Sequence, residues 1–252
     1  MKKIFLYILA GSLCFSACKK DDDVSSYVEP EDITTQNTYD DQAIKKFMNE
    51  NYLDAQGNIK AFSSTDTSDD NEKKLSDLDY KTLPSGTIYI IRNGAQPSPA
   101  DEQAIGSTDI IKVMMKATTY LAINTDGQSL FTAATDFMNT VNGTGIPAID
   151  PKYYYTSPND PLIKNATTDA AKQQSYYMIE GFSEAMQKFK AFNNYPSETP
   201  YNLQGVIIVP SRAAFARDPY FPYNYPGYSQ VISLRNKTFV FNFQVYNRAT
   251  RP

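Results

Sequence analysis

The chain has 252 residues, with 24 Lys and Arg against 28 Asp and Glu, a formal charge of −4, and neither His nor Trp. An acidic balance without a basic stripe argues against nucleic acid as a partner, and the absence of histidine excludes Ser-His-Asp, Cys-His and His-metal chemistry. What the chain has in abundance is aromatic surface, 19 Tyr and 14 Phe, together with 15 Pro.

At the N-terminus, Lys2 and Lys3 followed by the apolar stretch Ile4 to Ala17 predict a secretory signal over residues 1–17. The stretch is shorter than the about 20 apolar residues a membrane span takes. Phe15-Ser16-Ala17-Cys18 resembles a lipobox, with Phe15 where Leu is usual, and so implies cleavage before Cys18 and a lipid on its sulfur. Cys14 leaves with the signal. The mature chain then keeps one cysteine and no internal disulfide, and its fold must rest on a packed core. Lys19-Lys20-Asp21-Asp22-Asp23 resembles the charged export tag of Bacteroidota surface lipoproteins, which implies an outer-membrane lipoprotein on the periplasmic or the cell-surface face.

Residues 18–39 read as a lipidated acidic tether, too poor in apolar side chains to offset the entropy of ordering. Residues 40–83 read as an N-terminal helix and a polar loop. Asp40 or Asp41 is placed to cap the helix, Ile44, Phe47, Met48 and Tyr52 form its apolar stripe, and residues 62–77 form the mobile part. The body spans 84–252. Thr87 to Arg92 is a strand closed by Asn93-Gly94, and the apolar run Asp109 to Ile123 is a strand ended by the turn residues Asp126-Gly127. Residues 132–175, broken by Gly143, Gly145, Pro147, Pro151, Pro158 and Pro161, read as a long irregular insertion. Ile179, Phe182, Met186 and Phe189 share one face of a short helix, and Val206 to Val209 is a compact strand ended by Pro210. Beyond a Tyr- and Pro-rich loop at 219–228, Phe239, Phe241, Phe243 and Val245 alternate with Val240, Asn242, Gln244 and Tyr246 as a half-buried strand. Several strands around one short helix predict an α+β domain with an antiparallel sheet.

Little acid-base chemistry is available. The carboxylate pairs Asp21-Asp22, Asp40-Asp41 and Asp69-Asp70 lie in polar segments and read as solvated charge. No metal site and no cofactor is expected. An aromatic pocket can nevertheless catalyse bond rotation, because the barrier of about 18–20 kcal/mol in a peptide bond comes from amide resonance. An apolar cavity disfavours the charge-separated planar amide, and donors aimed at the twisted state stabilise it selectively.

Four segments in order carry a resemblance. Tyr120, then Asp126-Gly127 and Phe131, is similar to the Tyr, Asp-Gly and Phe of the FKBP-type peptidyl-prolyl cis-trans isomerases. Met178-Ile179-Glu180-Gly181-Phe182 resembles their Val-Ile-x-Gly-Trp, Val206 to Phe215 their Ile-Pro strand with the Ala-Tyr-Gly after it, and Asn236 to Phe241 their Asn-x-Thr-Leu-Val-Phe. With the export signal, the whole resembles the FKBP-type lipoproteins of Bacteroidota, including those associated with gliding motility. The resemblance implies a twisted antiparallel sheet wrapped around one short helix. It also implies action on Xaa-Pro bonds of exported proteins, with Tyr120, Phe131, Ile179, Phe182, Phe215 and Phe241 forming the pocket and Met178 and Thr132 beside the substrate. The Ile179 N–H would bind the substrate carbonyl.

The departures bear on activity. Thr132 replaces an aspartate, Phe182 the floor tryptophan, and Phe215 a tyrosine whose hydroxyl donates to the bound peptide. They imply, as alternatives to catalysis, a binding or chaperone lipoprotein of the envelope that holds Pro-containing segments. A third possibility is glycan binding through Tyr153 to Tyr155 and the Tyr-rich loop 220–228.

Overall fold

The computed structural model describes residues 27–218 and 233–252. Cys18, the charge run after it and the Tyr- and Pro-rich loop at 219–228 lie outside the described residues.

The first helix, α1 (Ile33–Glu50), starts well before Asp40. Its cap is Asp32, whose carboxylate accepts from the Thr34 N–H at 2.8 Å. The polar first turns have weak helix propensity and are held by tertiary contacts instead. The buried Gln36 amide donates to the Ala122 carbonyl at 3.0 Å and to Asp40 at 3.1 Å. Just ahead of the helix, the Glu29 carboxylate takes Arg235 Nε at 2.6 Å and Arg217 Nε at 3.2 Å. The segment expected as tether over 18–39 is therefore folded onto the body from Tyr27 onward. Asp40 is buried, not solvated, and accepts the Ser211 N–H at 2.8 Å.

A small hairpin follows, β1 (Asn51–Leu53) with β2 (Ile59–Ala61), so Tyr52 lies on a strand and not on the helix stripe. The segment 62–77, expected as a mobile loop, holds two 3-10 turns at Thr67–Asp69 and Leu75–Asp77. Leu75 is fully buried, and the buried Asp69 accepts the Ser63 N–H at 2.8 Å, so Asp69 too departs from the solvated reading. β3 (Tyr80–Thr82) pairs with β4 (Ile88–Ile91) across the boundary expected near residue 84.

After β5 (Gln103–Ala104) come the two strands of a long hairpin, β6 (Ile110–Thr125) and β7 (Gln128–Asn139). They turn at Asp126 and Gly127, both at positive φ (52° and 80°), which is the backbone a two-residue hairpin requires. The expected insertion 132–175 thus opens on a strand. It continues through one π-helical turn and β8 (Ala148–Ile149), which pairs with β6 beyond the end of β7, and then the one-turn α2 (Pro161–Lys164). α3 (Glu180–Met186), β9 (Lys190–Ala191), β10 (Gly205–Val209) and β11 (Lys237–Ala249) complete the described elements.

Among the described residues the main sheet has seven strands in the order β3-β4-β10-β11-β6-β7, with β8 beside β6, and every pairing is antiparallel. The molecule is α+β, as the strand and helix signals predicted. Both faces of the sheet are covered. One packs on α3 through Phe182, Ile207, Phe241 and Phe243; the other packs on α1 through Ile44, Met48, Val206, Ile208 and Val240. β11 is consequently buried on both sides instead of half-buried. Two of its even-numbered polar residues are satisfied by backbone: Asn242 Nδ2 donates to the Gly57 and Gly205 carbonyls at 2.9 and 3.1 Å, and Gln244 accepts the Asn202 N–H at 2.8 Å. No helix among the described residues is long and apolar enough to cross a membrane.

Candidate functional site

The aromatic centre lies where α3 meets the sheet. Phe182 and Phe241 face each other with ring centroids 4.3 Å apart. Phe239 stacks beside Phe241 at 5.8 Å, and Phe215 sits edge-on to Phe239 at 6.0 Å. Across the β6–β11 pairing, Ala117 stands opposite Phe241 and Thr119 opposite Phe239, small side chains that leave room for the rings. Gly181 explains how α3 comes so near. A Cβ there would collide with Thr87 Oγ1 and lie 2.7 Å from Val209 Cγ1, so only glycine permits this approach.

The residue before α3, Ile179, is fully buried, and its N–H donates to the Tyr153 carbonyl at 2.8 Å. Tyr153 itself fills the space over the floor. Its ring lies 5.6 Å from Phe182, 6.1 Å from Phe241 in near-parallel stacking, and 5.2 Å from Phe137. Its hydroxyl donates to the Met115 sulfur at 3.0 Å, with the Met138 sulfur at 3.3 Å. Tyr154 packs edge-on to Phe182, donates from its hydroxyl to the Gly106 carbonyl, and accepts the Ser183 hydroxyl on its own carbonyl. Burial pushes the Tyr154 phenol above its ordinary range, which keeps it a donor.

Four of the residues expected in a pocket therefore come together here: Ile179, Phe182, Phe215 and Phe241. Met178 adjoins them, half-buried, in the turn before Ile179. Tyr120 and Phe131 do not join them. They stack on each other at 4.9 Å on the opposite face of the sheet, each tilted against Phe47 of α1. The cause is strand parity: Tyr120 pairs with Thr238, one residue out of phase with Phe239 and Phe241. Thr132, half-buried, follows Phe131 on β7 and pairs with Leu121. The residue on β7 that does reach the α3 face is Phe137, edge-on to Phe239 at 5.1 Å and to Phe241 at 6.4 Å. Tyr153 and Tyr154, read from the sequence as possible sugar-stacking residues, are interior.

No family model and no curated protein matches the chain. Among solved structures it is similar to the crystal structure of FkpA from Escherichia coli, at 16% identity and a TM-score of 0.34, over 69% of this chain and 53% of that one. The chain thus spans about half the length of that structure.

The chemistry available at the α3 face is narrow. It offers aromatic walls and one backbone donor aimed at a carbonyl oxygen. Phe215 carries no hydroxyl, and Thr132 no carboxylate. Among the described residues no group of three or more His, Cys, Asp or Glu side chains is placed to hold a metal ion.

Proposed function

We propose that this chain is an envelope lipoprotein, anchored through Cys18 to the outer membrane, whose FKBP-type module acts as a peptidyl-prolyl cis-trans isomerase on Xaa-Pro segments of exported proteins. The observation that carries the reading is the Ile179 N–H meeting a carbonyl oxygen above the Phe182–Phe241 floor. Amide rotation needs a desolvated carbonyl and a positioned donor, and no proton transfer. Turnover should be slow, since the hydroxyl donor and the carboxylate of the resembling family are replaced by Phe215 and Thr132. Uncatalysed exchange takes tens to hundreds of seconds, so even modest acceleration serves a protein folding outside the cytoplasm.

Phe215 also favours a second reading, in which the module binds Pro-containing or apolar segments without catalysis. The test is relaxation of blocked Xaa-Pro peptides by residues 19–252, alongside a binding measurement and the family's macrolide inhibitor. Acceleration blocked by the macrolide supports isomerase activity. Binding without acceleration supports the second reading, and neither binding nor acceleration for any residue before proline removes both. Labelling with a radioactive fatty acid, lost in Cys18→Ala, tests the anchor.

A further inference from the structure

We infer that the segment 148–156 carries an internal ligand for the α3 pocket, with Tyr153 as the inserted side chain, and that a peptide enters by displacing it. This rests on the reading of the α3 face as a peptide site. The donor that would meet a peptide carbonyl, Ile179 N–H, already holds the Tyr153 carbonyl at 2.8 Å. The Tyr153 ring lies between Phe137, Phe182 and Phe241, so backbone and side chain of one residue occupy both parts of the site at once.

The way the segment is attached suits a removable occupant. It leaves the sheet after β8, only two residues long, whose Ile149 is 66% exposed, and it turns in through Asp150 at φ 53°. Its outer fastenings are two charge pairs at the rim, Asp150 with Arg251 and Lys152 with Asp160 at 2.6 Å. Inside, the Tyr153 hydroxyl rests on the Met115 and Met138 sulfurs. Thioethers are weak acceptors on adaptable side chains, a seat that accommodates another group at little cost. Toward α3 the segment is held by the Ile179 N–H on the Tyr153 carbonyl and by the Ser183 hydroxyl on the Tyr154 carbonyl.

Binding of a blocked Ala-Phe-Pro-Phe peptide to residues 19–252 tests the inference, comparing wild type, Tyr153→Ala and Ser183→Ala, each checked by circular dichroism. If the closed form is about nine-tenths populated, opening the site in Tyr153→Ala tightens apparent affinity about tenfold. Ser183→Ala, which loosens the segment and leaves the pocket walls intact, should gain about threefold, the equivalent of one modest hydrogen bond. Should Tyr153→Ala not fold, Ser183→Ala decides. A third measurement needs no variant: saturating peptide should speed hydrogen exchange across 148–156 in the wild type while α1 stays protected. Equal or weaker binding by the folded variants, or unchanged exchange in 148–156 at saturation, overturns the internal ligand and leaves the peptide site standing. No binding by any of the three folded proteins overturns the peptide site itself, and the inference with it.

Discussion

On the α3 face of the sheet, Phe239, Phe241 and Phe243 meet Phe182, Phe189 and Tyr153 ring against ring, and of these rings Tyr153 alone carries a hydroxyl, which donates to the Met115 sulfur. On the α1 face the same strand offers Val240, Asn242 and Gln244, and much of what holds that side is polar: Gln36 on Ala122, Asn242 on Gly57 and Gly205, Asp40 on Ser211. The two faces divide the labour. Interlocked rings make a wall that can surround an apolar guest, whereas satisfied amides fix the position of a helix. That contrast can be broken experimentally, beginning where the effect is largest.

Phe182 is fully buried at the centre of the aromatic face. Phe182→Ala should cost about 3–5 kcal/mol of stability by leaving a ring-sized cavity, read as a shift of the urea midpoint. Survival with little loss would mean the α3 face is loosely packed, and would undo the contrast. Gly181→Ala should cost about 1–3 kcal/mol, because the new methyl has to push α3 off Thr87 and Val209. Phe131→Ala, half-buried on the other face, should cost less, about 1–2 kcal/mol, and should leave peptide binding as in wild type. Loss of binding in folded Phe131→Ala would put the site on the α1 face after all.

Much of this architecture could be read from the chain. Asp126-Gly127 set the β6–β7 turn, and a two-residue loop pairs Ala122 with Phe131, which places Tyr120 and Phe131 on one face together. Which face that is depends on the register of β6 against β11, a pairing between segments over a hundred residues apart with no local signal. Grouping Tyr120 with Phe241 failed for that reason. Alternation along β11 was real, but alternation cannot distinguish water from a second helix, and α1 covers the even-numbered side. The early start of α1 is hidden in the sequence because Thr34, Thr35 and Asn37 are weak helix formers, and the turn is held by Gln36 through a partner far away in sequence. Tyr153 and Tyr154 sit in a segment with no period at all. Their clustering was visible in the sequence, and their direction, into the core, was not.

The smallest expected effect concerns how the α1 face is fastened. Asp40 is fully enclosed between α1 and the turn after β10, and burial raises its pKa above the ordinary carboxylate range, more than the hydrogen bonds from Ser211 and Gln36 and the nearby Arg212 lower it. A carboxyl whose folded pKa lies above its unfolded value contributes stability that is complete below the unfolded pKa and is lost as pH rises through the folded one. Asp40→Asn keeps one acceptor oxygen for the Ser211 N–H and cannot ionise. The difference in urea midpoint between wild type and Asp40→Asn should therefore move against the wild type as pH climbs from below the ordinary carboxylate range toward neutrality. Other carboxylates, such as Glu29 with its pKa held down chiefly by the hydrogen bond from Arg235, titrate alike in both proteins and cancel in that difference. A flat difference across the range would mean that Asp40 ionises without penalty inside the fold. The polar fastening of α1 would then be as open to water as the α3 face is closed to it.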